Sequence, residues 1–295
     1  MKLSGLAAVP FKINSSLRSL VEKHLPADYS AGCVFTPVEG LSSESWRIES
    51  PTHRYLARLE SAEKQLLWID RRRENRLLRH LSSTGIAPQV LRWAYPWLVV
   101  SWVDGETLSQ ALFFSAEQQR QLAALLARLH GVAPQGEVLD IRRRLGRYWQ
   151  AIDRRRLTPA WLRVHQRMMK RSPPKALKTA VTHMDIHPEN GVVSPQGTRL
   201  IDWEYAVSAD IALEFAALFR GNGYSPSQQS QLLLDYARCG GYPDLVRLEA
   251  QIRLWQPWLD YLMLMWFEVR WQQTADARYT LWAQPLRQQL FSEFQ

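Results

Sequence analysis

The spacing of apolar residues changes near Val103, and this change limits the folds available to the chain. Before it, short runs alternate polar and apolar residues, as around Trp46, which is typical of strands with one buried face. A single helical pattern, residues 62–81, interrupts them. After Val103, helical spacing dominates. We therefore predict an α+β fold: a small antiparallel sheet with one helix in residues 1–102, and a larger, mainly helical part in residues 103–295.

Charge and tryptophan content indicate what the protein binds. The 295 residues include 37 Lys and Arg against 28 Asp and Glu, a net charge of +9, and 13 tryptophans. Such a chain suits an anionic partner: a nucleic acid, a membrane surface or a nucleotide. The arginine runs 71–73, 142–144 and 154–156 are short and lie in helical patterns, so we expect solvated helix faces. No zinc-finger or RNA-binding signature accompanies them, which argues against a nucleic-acid partner.

The sequence also argues against a membrane partner. Its longest apolar stretches, such as 262–267, fall far short of the roughly 18 residues of a membrane span. The N-terminus lacks the pattern of a secretory signal. Cys33 and Cys239 are isolated, which is typical of a reducing compartment. These observations predict a cytoplasmic protein.

The helical part is interrupted at residues 180–203, where the pattern predicts a hairpin. If Ser194 pairs with Thr198, the register places Asn190 opposite Asp202, with their Cβ atoms about 4.5–5.5 Å apart. Carboxylate and amide oxygens at that separation suit Mg²⁺.

Asp185 lies on the loop before this hairpin, near the predicted metal site. Phosphoryl transfer needs metal ions over the phosphates and an acid that receives the proton of the acceptor alcohol. An alternative uses the same loop differently: His183, Asp185 and His187 could bind zinc in a metal-dependent hydrolase, since imidazole and carboxylate are good zinc ligands.

The spacing His183-x-Asp185-x₄-Asn190, followed by Asp202-Trp203-Glu204, resembles the catalytic core of the aminoglycoside phosphotransferase and choline kinase families, relatives of protein kinases. The resemblance extends over roughly residues 30 to 225 and includes further segments around Gly40, Glu74, Gly85, Val103 and Asp210. It implies a two-lobed, protein-kinase-like fold. Within this superfamily, segments such as 183–187, 200–206 and 258–274 are most similar to bacterial thiamine kinases.

The resemblance also implies roles for individual residues. Asp185 is the expected catalytic base, and Asn190 and Asp202 are the expected Mg²⁺ ligands. For ATP the expected set is Gly40, Ser42, Ser43, Arg58 and Glu74; for the acceptor, thiamine, it is Trp203, Glu204 and Tyr205. ATP is then a sufficient anionic partner for a basic protein.

One departure from the family pattern concerns Arg58, which stands where the family has a strand lysine. Arginine is cationic and binds phosphate, but its fork is bulkier and more rigid, which leaves a pairing with Glu74 open. The departure also keeps a non-catalytic nucleotide-binding relative among the alternatives. A further alternative is a kinase of another small alcohol, of the choline or aminoglycoside type.

Overall fold

The structure is a computed structural model that describes residues 15–38, 45–194 and 197–293. The predicted phosphate-contacting residues Gly40, Ser42 and Ser43 lie outside the described residues. By its contacts the chain divides into two compact units. The first comprises Met1–Glu60 with Gln89–Trp102, and the second Ser61–Pro88 with Val103–Gln295. Residues 61–88, which precede the predicted boundary at 102, thus group with the second unit.

The first unit is built on a five-stranded antiparallel sheet in the order β1-β2-β3-β5-β4. Its elements are α1 (Ser15–His24), α2 (Pro26–Ala31), β1 (Val34–Val38), β2 (Ser45–Glu49), β3 (Arg54–Leu59), β4 (Val90–Ala94) and β5 (Trp97–Ser101). The predicted antiparallel sheet is confirmed.

Helix α1 covers one face of this sheet and forms a core with it. Leu17 and Val21 of the helix are completely buried, as is Ile48 of β2. This packing explains the alternation of polar and apolar residues that predicted β2, because every second side chain of a strand points to the same face. Trp97 is 1% exposed, and its indole N–H donates to Ser16 Oγ over 2.8 Å.

A buried carboxylate joins α2 to the turn between β2 and β3. Asp28 Oδ1 accepts hydrogen bonds from Ser50 Oγ (2.6 Å) and His53 Nδ1 (2.9 Å). Its Oδ2 accepts one from the hydroxyl of Tyr55 (2.8 Å). Burial by itself raises the pKa of Asp28, but these three hydrogen bonds outweigh burial and leave the pKa below its ordinary value. The carboxylate therefore stays charged and bonded.

The second unit carries most of the helices. They are α3 (Ala62–Leu66), α4 (Arg71–His80), α5 (Gln110–Phe113), α6 (Ala116–Gly131), α7 (Ile141–Ala151), α8 (Pro159–Lys170), α9 (Ile211–Asn222), α10 (Pro226–Arg238), α11 (Leu245–Thr274) and α12 (Ala277–Glu293). Its short strands are β6 (Glu106–Thr107), β7 (Thr179–Thr182), β8 (Gly191–Ser194), β9 (Gly197–Leu200) and β10 (Val207–Asp210). Strands β6, β8 and β9 form one antiparallel sheet, and β7 pairs with β10 in another. None of the helices in the described ranges is long and apolar enough to cross a membrane.

The single helix predicted for residues 62–81 is wrong, because two helices occupy this segment. Helix α3 ends at Leu66, and Trp68 then adopts a left-handed backbone with φ of 68°. Asp70 starts α4 afresh, since its carboxylate accepts a hydrogen bond from the backbone N–H of Arg73 over 2.9 Å. The apolar spacing alone did not reveal this break.

We expect Asp28→Asn to lower the free energy of unfolding at pH 7 by about 1–3 kcal/mol, because buried donors lose a charged acceptor. The Asp28 carboxylate has a lowered pKa in the folded protein, so its contribution is complete above the ordinary value of about 3.9. That contribution is lost as the pH falls through the lower folded-state pKa. Urea unfolding at pH 7 and near pH 3, followed by tryptophan fluorescence, measures both effects.

The matched control is Glu22→Gln, since Glu22 is an exposed acid of the same unit. Equal stability of Asp28→Asn and Glu22→Gln at pH 7 would show that the Asp28 hydrogen bonds contribute nothing.

Candidate active site

The β8–β9 hairpin forms, but its register differs by one residue from the prediction. Ser194 pairs with Gly197 rather than with Thr198. The backbone N–H of Ile201 donates to the carbonyl of Asn190 over 2.9 Å, so Asn190 lies opposite Ile201 and not opposite Asp202. The predicted register assumed a three-residue turn, whereas the connection between the paired residues has two. Gly197 permits this with a φ of +106°, a conformation that favours glycine.

Asn190 and Asp185 nevertheless come together, through a short 3₁₀ turn instead of strand pairing. The turn Pro188–Asn190 carries the Asn190 side chain back to the loop, where it is 6% exposed. Its amide nitrogen donates to the Asp185 carbonyl (2.9 Å) and to Asp185 Oδ2 (3.3 Å). Because the amide N–H groups face Asp185, the carbonyl oxygen Oδ1 is the atom of this side chain left for a cation.

Asp185 sits in an environment that disfavours its negative charge. Burial, followed by the charges of Asp202 and Glu204, raises the pKa of Asp185 to about 8, against a smaller opposing effect of Asn190. The side chain is still 39% exposed, so water and ions reach it. Converging carboxylate oxygens and one amide oxygen are the ligands that a hard divalent cation prefers. Such a cation would relieve the repulsion between Asp185 and its acidic neighbours, so the donor set fits Mg²⁺.

Two residues of the site hold left-handed backbones. Met184, directly before Asp185, has a φ of 67°, and Asp202 has a φ of 61°. This conformation costs roughly 1–2 kcal/mol for a residue with a side chain, so the surroundings must enforce it.

His183 shapes the loop through both ring nitrogens. Nδ1 accepts a hydrogen bond from the backbone N–H of Asp185 (3.3 Å), so Nε2 carries the proton and donates to the Ile201 carbonyl (2.9 Å). The ring is completely buried, and burial lowers its pKa, which favours this neutral form. Both nitrogens are engaged, so His183 is not placed to bind zinc. Within the described residues no group of three His, Cys, Asp or Glu could hold a metal ion.

Glu214, on α9, is the loop residue that sequence reasoning missed. Its fully buried carboxylate accepts hydrogen bonds from the backbone N–H groups of His183 (2.6 Å) and Met184 (2.9 Å). His130 Nε2 lies 4.0 Å from Oε2. Burial by itself raises the pKa of Glu214, but these neighbours lower it below its ordinary value. An acid inside the otherwise apolar run 211–219 was the available signal, since burial of such a residue demands a partner.

The aromatic residues predicted for the acceptor occupy different positions. Trp203 is 1% exposed, and its indole N–H donates to the Leu200 carbonyl over 2.8 Å. It packs edge-on against His183, with ring centroids 4.6 Å apart, and thus supports the loop from within the core. Tyr205 is half-buried, and its hydroxyl accepts a hydrogen bond from Trp266 Nε1 over 3.0 Å.

Glu204 and Glu74 face the same buried cation. Arg71 Nη1 lies 2.6 Å from Glu74 Oε2, and Arg71 Nη2 lies 3.0 Å from Glu204 Oε2. Arg71 is completely buried, and Arg144 of a second arginine run is 4% exposed. The expectation that these runs are solvated faces is therefore wrong for both arginines. The spacing of apolar residues could not distinguish Arg71 and Arg144 from their exposed neighbours, since each run contains buried and exposed arginines.

Arg58 belongs to the first unit. It lies in β3, paired with Leu98 of β5, and is 5% exposed. This burial is unusual for arginine and indicates a specific polar environment.

Comparison with known proteins decides the family. Residues 34–255 match the phosphotransferase enzyme family. The chain belongs to this family. Thiamine kinase of Salmonella newport (strain SL254) is 36% identical over 245 residues, 82% of this chain and 84% of that protein. Thiamine kinase of Escherichia coli O81 (strain ED1a) is 36% identical over 276 residues, 92% and 94% of the two chains.

Solved structures share the fold at lower identity. Choline kinase LicA from Streptococcus pneumoniae superposes with a TM-score of 0.74 at 16% identity, covering 94% of this chain and 99% of that one. A structure of LicA in complex with AMP gives 0.72, at 16% identity and with 96% and 100% coverage. The predicted fold class, α+β and protein-kinase-like, is confirmed.

We expect Glu214→Gln to loosen the turn before Asp185, because an amide –NH₂ group would face one of the two backbone donors. The free energy of unfolding should fall by about 1–3 kcal/mol, since a buried donor then has no acceptor. The backbone amides of His183 and Met184 should exchange with deuterium faster than in the wild type. Hydrogen exchange resolved to these residues, with Glu117→Gln on the exposed surface as control, measures this. Unchanged protection of both amides would contradict the role of Glu214.

Proposed function

We propose that this protein transfers the γ-phosphoryl group of ATP to the primary alcohol of thiamine, giving thiamine monophosphate and ADP. The observation that carries the proposal is the loop in which Asn190 holds Asp185 beside Asp202, in a chain whose relatives at 36% identity over 82–92% of its length are thiamine kinases. Membership of the phosphotransferase family and a fold shared with an AMP-bound kinase support the use of a nucleotide.

We propose Asn190 Oδ1 and the Asp202 carboxylate as the Mg²⁺ ligands. The support is the donor set itself, together with burial and the nearby charges of Asp202 and Glu204, which raise the pKa of Asp185. When bound, Mg²⁺ neutralises phosphate charge and stabilises the charge that develops during transfer.

Asp185 is the proposed base. Its Oδ2 faces the Asn190 amide, which fixes the carboxylate plane, so Oδ1 is the oxygen proposed to accept the hydrogen of the thiamine hydroxyl. Burial and neighbouring acids raise its pKa and make the carboxylate a better proton acceptor. Asn190 orients this base, while His183 and Glu214 keep the backbone that carries it in place.

For the nucleotide we propose Gly40, Ser42 and Ser43 together with Arg58 and Glu74, on the strength of the family resemblance. The guanidinium of Arg58 can bond phosphate oxygens in pairs, as the family lysine cannot. We also propose that residues 1–102 and 103–295 act as two functional lobes. Both cysteines are free thiols, which supports a reducing cytoplasmic location.

For the acceptor we propose Tyr205 as a contact for the cationic thiazolium ring, since aromatic faces attract cations. The ring is half-buried, and the Arg144 guanidinium lies 5.5 Å from its centroid, so the proposed contact is with the part of the ring that Arg144 leaves exposed. Trp203 and Glu204 are buried and act from the interior: Trp203 supports the loop, and Glu204, paired with Arg71, fixes the turn that contains Tyr205.

A coupled assay of ADP release tests the acceptor. We expect ADP with thiamine and Mg²⁺, and at least tenfold slower release with choline or an aminoglycoside at equal concentration. Absence of ADP with thiamine, but turnover with choline, would contradict the proposed acceptor. Zinc in the purified protein without ATP consumption would favour the hydrolase alternative.

We expect Asp185→Asn to lower kcat by about 10²–10⁴-fold, the usual contribution of general base catalysis, because an amide cannot accept the hydroxyl proton. Asp202→Ala should abolish turnover through loss of Mg²⁺ binding. The matched control is Glu189→Gln, an acid of the same loop whose side chain is 88% exposed and whose loss should change kcat less than twofold. Near-normal rates from a folded Asp202→Ala protein would contradict the metal assignment.

A further inference from the structure

Helix α4 is joined to the segment after Asp202 by a cation that is sealed from solvent. Arg71, in the first turn of α4, is 0% exposed. One arm of its guanidinium donates to Glu74 (2.6 Å), one turn further along the same helix, and the other arm to Glu204 (3.0 Å). The two glutamates are 2% and 4% exposed. The fork of Arg71 thus connects two buried acids from distant parts of the sequence.

The position of Arg71 is itself fixed by the start of the helix. Asp70 caps α4 through the backbone N–H of Arg73 (2.9 Å). Arg73 adds a second link, since its Nη2 donates to the Trp68 carbonyl (2.6 Å) and to the Glu204 carbonyl (3.3 Å). Both the side chain and the backbone of Glu204 are therefore held by the same turn of α4.

Glu204 lies two residues after Asp202, in the 3₁₀ turn Trp203–Tyr205 that follows directly. Asp202 has a left-handed backbone, and its side chain makes no capping hydrogen bond to this turn. A strained residue keeps its conformation only where its surroundings enforce it. Trp203, buried on one side, and Glu204, held by Arg71 on the other, supply that constraint.

We infer that Arg71 is a positioning residue for phosphoryl transfer: by holding Glu204 against α4, it fixes the backbone that carries the metal ligand Asp202. The inference rests on the proposed function. Through the same guanidinium it aligns Glu74, the helix glutamate implicated in nucleotide binding, so one side chain sets both acids. A lysine would not hold the two acids in this arrangement, because its compact ammonium lacks the rigid planar fork whose two arms reach Glu74 and Glu204 here.

The chain offers a closely matched control in Arg72. It is the adjacent residue on the same helix, carries the same charge and is exposed. Arg71→Met and Arg72→Met therefore change net charge and composition equally. We expect Arg72→Met to remain within twofold of wild type in every measurement. Arg71→Met should lower kcat at least tenfold and weaken Mg²⁺·ATP binding at least fivefold, with KM for thiamine changed less than twofold.

A second variant distinguishes a purely structural role of Arg71 from a positioning role, because it also removes the negative charge of Glu204. Arg71→Met leaves Glu204 buried without this cation, so the variant is expected to melt at a lower temperature. The double variant Arg71→Met, Glu204→Gln removes that charge and should regain most of the melting temperature. We expect its kcat and its affinity for Mg²⁺·ATP to stay low, since the side chain of residue 204 is then no longer held against α4 by a guanidinium, and the backbone contact from Arg73 remains alone on that side. Recovery of kcat and affinity together with melting temperature would overturn the inference.

Arg71→Lys provides a folded variant if Arg71→Met fails to fold. It keeps the charge and should stay near wild type in melting temperature, yet lose affinity for Mg²⁺·ATP and kcat, because the fork is gone. Wild-type values of both would overturn the inference.

Binding of Mg²⁺·ATP is measured by calorimetry without thiamine. A wrong acceptor would show as intact binding without ADP release, whereas a wrong role for Arg71 would show as unchanged binding in Arg71→Met.

Discussion

The loop that carries Asp185 depends on a buried negative charge, the carboxylate of Glu214. Glu214 accepts hydrogen bonds from two consecutive backbone N–H groups, and this pair of hydrogen bonds holds Met184 in its left-handed conformation directly before Asp185. Charge-assisted bonds of this kind are about twice as strong as neutral ones, which is enough to offset the strain of one left-handed residue. His183 then fastens the same loop to the backbone before Asp202. The loop that carries the proposed catalytic base is thus held in place by buried polar groups to which no chemical step is assigned.

Local pattern was sufficient for much of the fold. Alternation around Trp46 predicted β2, and the change of spacing near Val103 predicted the mainly helical part that follows. The motif spacing also selected Asp185, Asn190 and Asp202, three side chains that the structure brings to one loop region. The roles of these three residues stay predictions. Their proximity and the prediction of β2 share a cause: each rests on residues close in sequence, where backbone geometry leaves few alternatives.

The errors arose where the outcome depends on distant residues. The hairpin register turned on whether its connection has two residues or three, which apolar spacing does not reveal. Burial of Arg71 depends on Glu204, 133 positions away, so the arginine run looked like a solvated face. Glu214 was overlooked because its partners are backbone amides, which have no sequence signature.

The grouping of residues 61–88 with the second unit has a consequence for protein engineering. A chimaera that exchanged residues 1–102 as a block between relatives would bring in a foreign α4 and separate Arg71 from its partner Glu204. Exchange at the junctions 60/61, 88/89 and 102/103 would transplant the first unit, the sheet with α1 and α2, and leave that pair native. The block to exchange is therefore discontinuous in sequence, and junctions placed there keep Arg71 and Glu204 in the same parent protein.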